Sequence, residues 1–163
     1  MTAHQPTQPS HPGHPSRSRK DHPPGTVAWA LADPLRAVLA VIAIITVLTG
    51  AVQVPFGGQV LQLIGAESTP ETRQLFGTVG MFMVIVGGLL LHTLLNTAPS
   101  PDVVLWSGIQ KTGAFGAVDI GVLNGVFSPL ALAVAVFDLA TAVLLFIYWR
   151  RITAAPPTAG PAG

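Results

Sequence analysis

Leu130–Trp149 reads LALAVAVFDLATAVLLFIYW, and Asp138 is the only charge in it. The hydrocarbon core of a bilayer, ~30 Å thick, takes about 20 residues of α-helix rising ~1.5 Å each. This run has that length. Leu35–Val54 (LRAVLAVIAIITVLTGAVQV) and Leu75–Leu95 (LFGTVGMFMVIVGGLLLHTLL) repeat the pattern, and Val103–Val126 is a fourth, less apolar run. All are continuous, without the period-two alternation of barrel strands, so helices are expected. The predicted fold class is an all-α membrane protein, a four-transmembrane-helix bundle over residues 27–151. Its helices are placed at about 34–54, 70–96, 101–126 and 129–150.

The boundaries repeat as well. A small polar residue followed by proline precedes each run: Asp33-Pro34, Thr69-Pro70, Ser100-Pro101 and Ser128-Pro129. The polar side chain can cap the first free N–H groups, and proline suits the first helical position because it has no N–H and its φ is preset. Ser68 and Glu71 offer an alternative capping box for the second helix.

Composition agrees. Half the residues are hydrophobic and only 9% are charged, against about a quarter in an average soluble domain. Residues 1–26, rich in Pro, His, Ser and Arg, have almost no apolar side chain to bury and read as a disordered cytoplasmic tail; residues 152–163 read as a second. The first apolar run exceeds the length of a signal-peptide core, so an uncleaved helix is expected. Six of the eight basic residues (Arg17, Arg19, Lys20, Arg36, Arg150, Arg151) flank the termini, and Arg73 alone lies between the first two runs. The positive-inside rule then places both termini in the cytoplasm. Trp106, Tyr148 and Trp149 fit a cytoplasmic aromatic belt, and Val60–Ile64 a short interfacial turn in the outer loop.

Two sets of residues stand out inside the spans. In lipid, helices associate through close packing of small residues. The third run carries Gly113, Ala117, Gly121 and Gly125 at four-residue spacing, with Gln110 and Asn124 on the same face, which predicts a helix near the centre of the bundle. The second set is ionisable: Lys111, Asp119, Asp138, and His92 near the inner end of the second run. Each must face the interior, be paired or be neutral. Asp119 lies about 160° from Gly121, nearly opposite the small stripe. Counted from the outer turn, Asp119 and Asp138 fall at similar depth, where facing carboxyls would have to share a proton. Lys111, about 80° and ~12 Å from Asp119, is expected to snorkel to the inner interface.

Several functions lack their chemistry here. With no cysteine there is neither disulfide nor thiolate site. His4, His11, His14 and His22 are surrounded by prolines with no carboxylate cluster, so no metal is expected. His92 is the only histidine within the runs, which leaves haem without a second ligand. No phosphate loop or nucleophile elbow is present, and no cofactor is expected. A net charge of +1 without a basic stripe excludes nucleic acid as a partner.

The stretches LIGAESTPETRQLFGTVGM (63–81) and SPLALAVAVFDLATAVLLFIYWRR (128–151), with a glycine-rich second helix between them, resemble small bacterial four-helix integral membrane proteins, loosely DoxX-like. That resemblance implies a bacterial inner-membrane location and an accessory role. The expected function is a non-enzymatic accessory or scaffold subunit of a membrane complex. Its partners would be the lipid bilayer and a membrane protein or a second copy. The alternative is a small proton- or cation-coupled transporter using the intramembrane Asp and Lys residues.

Overall fold

The computed structural model describes residues 32–154. The N-terminal tail with its histidines, Arg17, Arg19 and Lys20, and residues 155–163, lie outside the described residues. Four long helices follow in order: α1 (Pro34–Leu63), α2 (Pro70–Leu95), α3 (Pro101–Leu123) and α4 (Leu132–Ala154), the last entered through a 3-10 turn, Pro129–Ala131. Among the described residues there is no strand. Three segments, α1, α2 and Pro129–Ala154, are long and apolar enough to cross a membrane. Helix α3 has the length, 23 residues or ~34 Å, but carries Asp102, Lys111 and Asp119.

The proline-led starts occur as expected, with two changes. Asp33 Oδ1 accepts from Leu35 N at 3.0 Å and Ser100 Oγ from Val103 N at 3.5 Å. At α2 the box closes between Thr69 and Thr72 rather than Ser68 and Glu71. Thr72 N donates to Thr69 Oγ1 at 3.2 Å, and Thr69 N to Thr72 Oγ1 at 2.8 Å. Ser128 makes no side-chain cap, because the chain enters α4 through the tighter turn.

The helix ends differ more. Helix α1 does not stop at residue 54. It continues past Pro55 with a kink at Phe56 (φ −113°, ψ 25°) as far as Leu63. Proline removes one N–H and crowds the carbonyl four residues back, which bends a helix without having to end it when the flanking residues are helical. Val60–Leu63 is therefore the last turn of α1. Helix α4 likewise runs on to Ala154, so residues 152–154 are helical and not tail. Helices α1 and α3 end alike. Gly65 (φ +74°) and Gly125 (φ +71°) take the left-handed conformation. Ala66 N donates to Leu61 O and Gly65 N to Gln62 O; Val126 N donates to Gly121 O and Gly125 N to Val122 O. Both are Schellman closures, and only glycine takes that φ without strain.

The four helices form two hairpins. Helix α1 packs chiefly on α2 and α3 on α4, with few contacts between the pairs. The α1–α2 seam is made largely of small residues: Ala43, Gly50 and Gly57 step by seven along α1, opposite Gly87, Gly80 and the backbone of Arg73 stepping by seven back along α2. A Cβ at Gly50 would stand 2.5 Å from Gly80 O, and one at Gly80 2.8 Å from Gly50 O. Seven-residue spacing keeps each position on one seam of a helix pair, and backbones this close give the dispersion contacts that hold helices together in lipid.

The hairpins meet at one end. Leu39, Ala40 and Ala43 of α1, Leu90 and Leu94 of α2, Val104 of α3, and Leu145 and Tyr148 of α4 form the shared core. Tyr148, 3% exposed, is thus a core residue rather than part of an aromatic belt, since its position on α4 falls in line with Leu145 and Thr141. Trp106 is exposed. Arg36, also buried, donates through Nε to Leu94 O and through Nη2 to Asn96 O, so it satisfies carbonyls at the C-terminal end of α2. At the opposite end Ser128 N donates to Ile64 O at 2.8 Å.

Outside, the polarity is inverted. Leu48, Leu75, Leu123, Val136 and many other large apolar side chains are exposed, while Arg36, Gln53, Ser107, Lys111, Asp138 and Thr141 are buried. An apolar exterior over a partly polar interior is the distribution expected of a chain solvated by lipid.

The seam makes a direct prediction. Gly50→Leu drives a side chain into the α2 backbone and lowers thermal stability in detergent by at least the ~1–3 kcal/mol of an overpacked core. Gly88, whose Cβ would have nothing within 4 Å, accepts Ala with no loss. Equal melting temperatures for Gly50→Leu and the parent, followed by circular dichroism, would refute the seam.

Candidate functional site

Lys111 of α3 and Asp138 of α4 form a buried ion pair, Nζ to Oδ1 at 2.6 Å, the only salt bridge among the described residues. Each residue is 6% exposed. The Lys111 ammonium also lies 5.8 Å from the centroid of the Phe137 ring, within cation–π range.

The helices bring the pair together by ordinary amphipathic logic. From Ala131 in the entry turn through Ala135, Asp138, Ala142 and Leu145 of α4, the buried positions fall three or four apart, a single face as the sequence suggests. On α3 the buried face is Val104, Ser107, Gly108 and Lys111. Phe146 of α4 covers Gly108, whose Cβ would lie 3.1 Å from its ring. Small residues one turn before Lys111 let α4 approach, and the flexible four-carbon stem of lysine spans the remaining offset.

Asp119 and Asp138, although at similar depth, do not face one another as a carboxylate pair; Asp138 is taken by Lys111. Asp119 is half-buried and makes no hydrogen bond or ion pair. Depth alone misleads here, because Asp119 stands eight residues from Lys111, about 80° round from the face that α4 covers. Lys111 does not snorkel either, since Asp138 neutralises it in place. His92 is exposed, and its backbone carbonyl accepts from Asn96 Nδ2 at 3.0 Å.

Among the described residues, the small stripe of α3 is not a packing seam. Gly113, Ala117, Asn124 and Gly125 are exposed and Gln110 is half-buried. A Cβ at Gly113 or Gly116 would meet nothing within 4 Å. Gly121 is buried, but under Phe127 of its own following turn, with a built Cβ only 2.4 Å from that ring. Asn124 and Gly125 form the end of the helix. Helix α3 is accordingly not the centre of the bundle. Gly113 lies two residues, or about 160°, from Lys111, so the stripe points away from the face that α4 covers.

Between the hairpins lies a cavity of about 480 Å³ that sequence reasoning missed. Its wall includes Ile45, Thr49 and Gln53 from α1, Phe76 and Met83 from α2, Lys111 and Val118 from α3, and Val134, Phe137 and Asp138 from α4. Gln53 is buried, and its Nε2 donates to Phe76 O at 2.8 Å. A more open crevice of about 790 Å³ flanks the Pro55 kink, beside Gln59, Gln62, Arg73 and Gln74.

Removing one member of a buried pair leaves an uncompensated charge, whereas replacing both with apolar groups is often neutral. Asp138→Leu alone is expected to cost ~3–5 kcal/mol of stability, and Lys111→Met with Asp138→Leu to recover most of it. A double variant no more stable than Asp138→Leu in a detergent melt would show that the two charges are not coupled.

No protein-family model, curated protein or solved structure matches this chain.

Proposed function

We propose that the chain is a non-enzymatic accessory subunit of a membrane complex, crossing the bacterial inner membrane four times with both termini in the cytoplasm. The observation that carries this reading is the open face of α3, where Gly113 and Gly116 have room for a side chain and no neighbour to fill it. Small residues facing outward at membrane depth let a partner backbone approach closely, whether from another membrane protein or from a second copy. An accessory role is also what the DoxX-like resemblance implies.

A fourth crossing by α3 is supported by its length and by the Lys111–Asp138 pair, which removes the largest cost of placing α3 in lipid. Arg36 at the start of α1, and Arg150 and Arg151 near the end of α4, favour a cytoplasmic location for those ends. The second reading, a small proton- or cation-coupled transporter, has in its favour that Lys111 and Asp138 line a cavity. Against it, the Lys111 ammonium already occupies the carboxylate that a cation would need.

The cysteine-free chain allows a clean test of topology. Single cysteines at Glu67, Thr97 and Val126 are expected to react with an impermeant maleimide in a pattern where positions 67 and 126 share one side and 97 has the other. Labelling of 97 and 126 from the same side would remove the α3 crossing. For the partner surface, Gly113→Leu is expected to leave the melting temperature unchanged and abolish co-purification of the partner or dimer. Association that persists in this variant would show that the α3 face is not the docking surface.

A further inference from the structure

We propose that the cavity between the hairpins is a binding site for an uncharged, hydroxyl-headed amphiphile taken from the bilayer, of the class of a monoacylglycerol. At about 480 Å³ it falls within the roughly 300–1,000 Å³ of small-molecule sites. Its wall is mostly apolar, from Ile45, Phe76, Met83, Val118, Phe127 and Val134, which suits a hydrocarbon chain.

The polar groups define the head. Lys111 Nζ gives one of its three N–H groups to Asp138 Oδ1 and retains two. Asp138 Oδ2 and Gln53 Oε1 have no hydrogen-bond partner among the described residues. Both residues are more than nine-tenths buried and line the cavity. No side-chain oxygen or nitrogen among the described residues is both sealed off and unpaired, so these two acceptors are accessible from the cavity they line. The cavity wall therefore carries both spare donors and spare acceptors.

Charge decides between ligands. Lys111 and Asp138 neutralise each other, so a carboxylate head would compete with Asp138 for the ammonium and leave one anion unpaired, and an ammonium head would do the reverse. A ketone or ester head accepts from Lys111 but gives nothing to Asp138. A hydroxyl both accepts and donates, and a glycerol head carries two.

The test is native mass spectrometry of the full chain released from detergent, with four probes sharing a similar chain: monodecanoylglycerol, methyl decanoate, decanoate and decyltrimethylammonium. Monodecanoylglycerol is expected to bind one per chain, about tenfold or more tighter than methyl decanoate, the fold-change of one hydrogen bond to a charged group. Lys111→Met with Asp138→Leu is expected to erase that preference while retaining binding of the ester. Thr49→Phe, which fills the cavity from α1, is expected to weaken all four and keeps the test decisive if the double variant does not fold. Equal binding of ester and glyceride, tighter binding of either charged probe, or glyceride binding indifferent to both variants would overturn the proposal.

Discussion

A lysine ammonium in the middle of an apolar bundle must find an anion, and that constraint organises the second half of this chain. Lys111 finds it in Asp138, 2.6 Å away. The pair fixes which faces of α3 and α4 meet, and it requires small residues at Gly108 and Ala135 so that the helices can approach. The first hairpin achieves closeness differently. It closes backbone against backbone at Gly50 and Gly80, with Arg36 and Gln53 donating to carbonyls of α2 and the chain just beyond it. One hairpin is thus held by charge and the other by shape. They share a core at the end where Leu39, Leu94, Val104 and Leu145 converge, and this leaves room for the cavity towards the other end.

That division accounts for the placement of polar residues. Arg36, Gln53 and Lys111 are all buried, and each donates to a group on a helix other than its own or to the chain just beyond that helix. A buried donor bonded across helices ties them together, whereas the same donor on the lipid face would have to be desolvated without return. Asp119 and His92 are the contrasting cases, less buried and outside this network.

Much of the fold was legible because its signals are local. Runs of spanning length, proline after a capping residue, and the Ala131–Ala135–Asp138–Ala142 face of α4 each depend on a few neighbouring residues. Pro55 misled, since a proline with Gly57 and Gly58 close behind it looks like a helix end, yet Gln59–Leu63 continues helical and the kink absorbs the ring. On α3 the four-residue glycine spacing was the more conspicuous pattern, but its face is the one left open. The buried face, Val104–Gly108–Lys111, mixes types and has no compositional signature. The Ala43–Gly50–Gly57 and Gly80–Gly87 spacings were there to be read as a seven-residue repeat. The cavity was not legible at all, because it depends on how two hairpins splay.

The separation of Lys111 from Asp138 along the chain also bears on biogenesis. Synthesis delivers the lysine 27 residues before the aspartate that neutralises it. At the moment α3 has emerged, its ammonium has no counter-ion within its own helix on the face that becomes buried. The first hairpin needs nothing from later residues to close its seam, so it can settle in the bilayer early. The second is different: Lys111 of α3 has its counter-ion only once α4 is beside it, so the two helices are expected to pack as a unit, and a chain truncated before residue 138 would leave that ammonium unpaired.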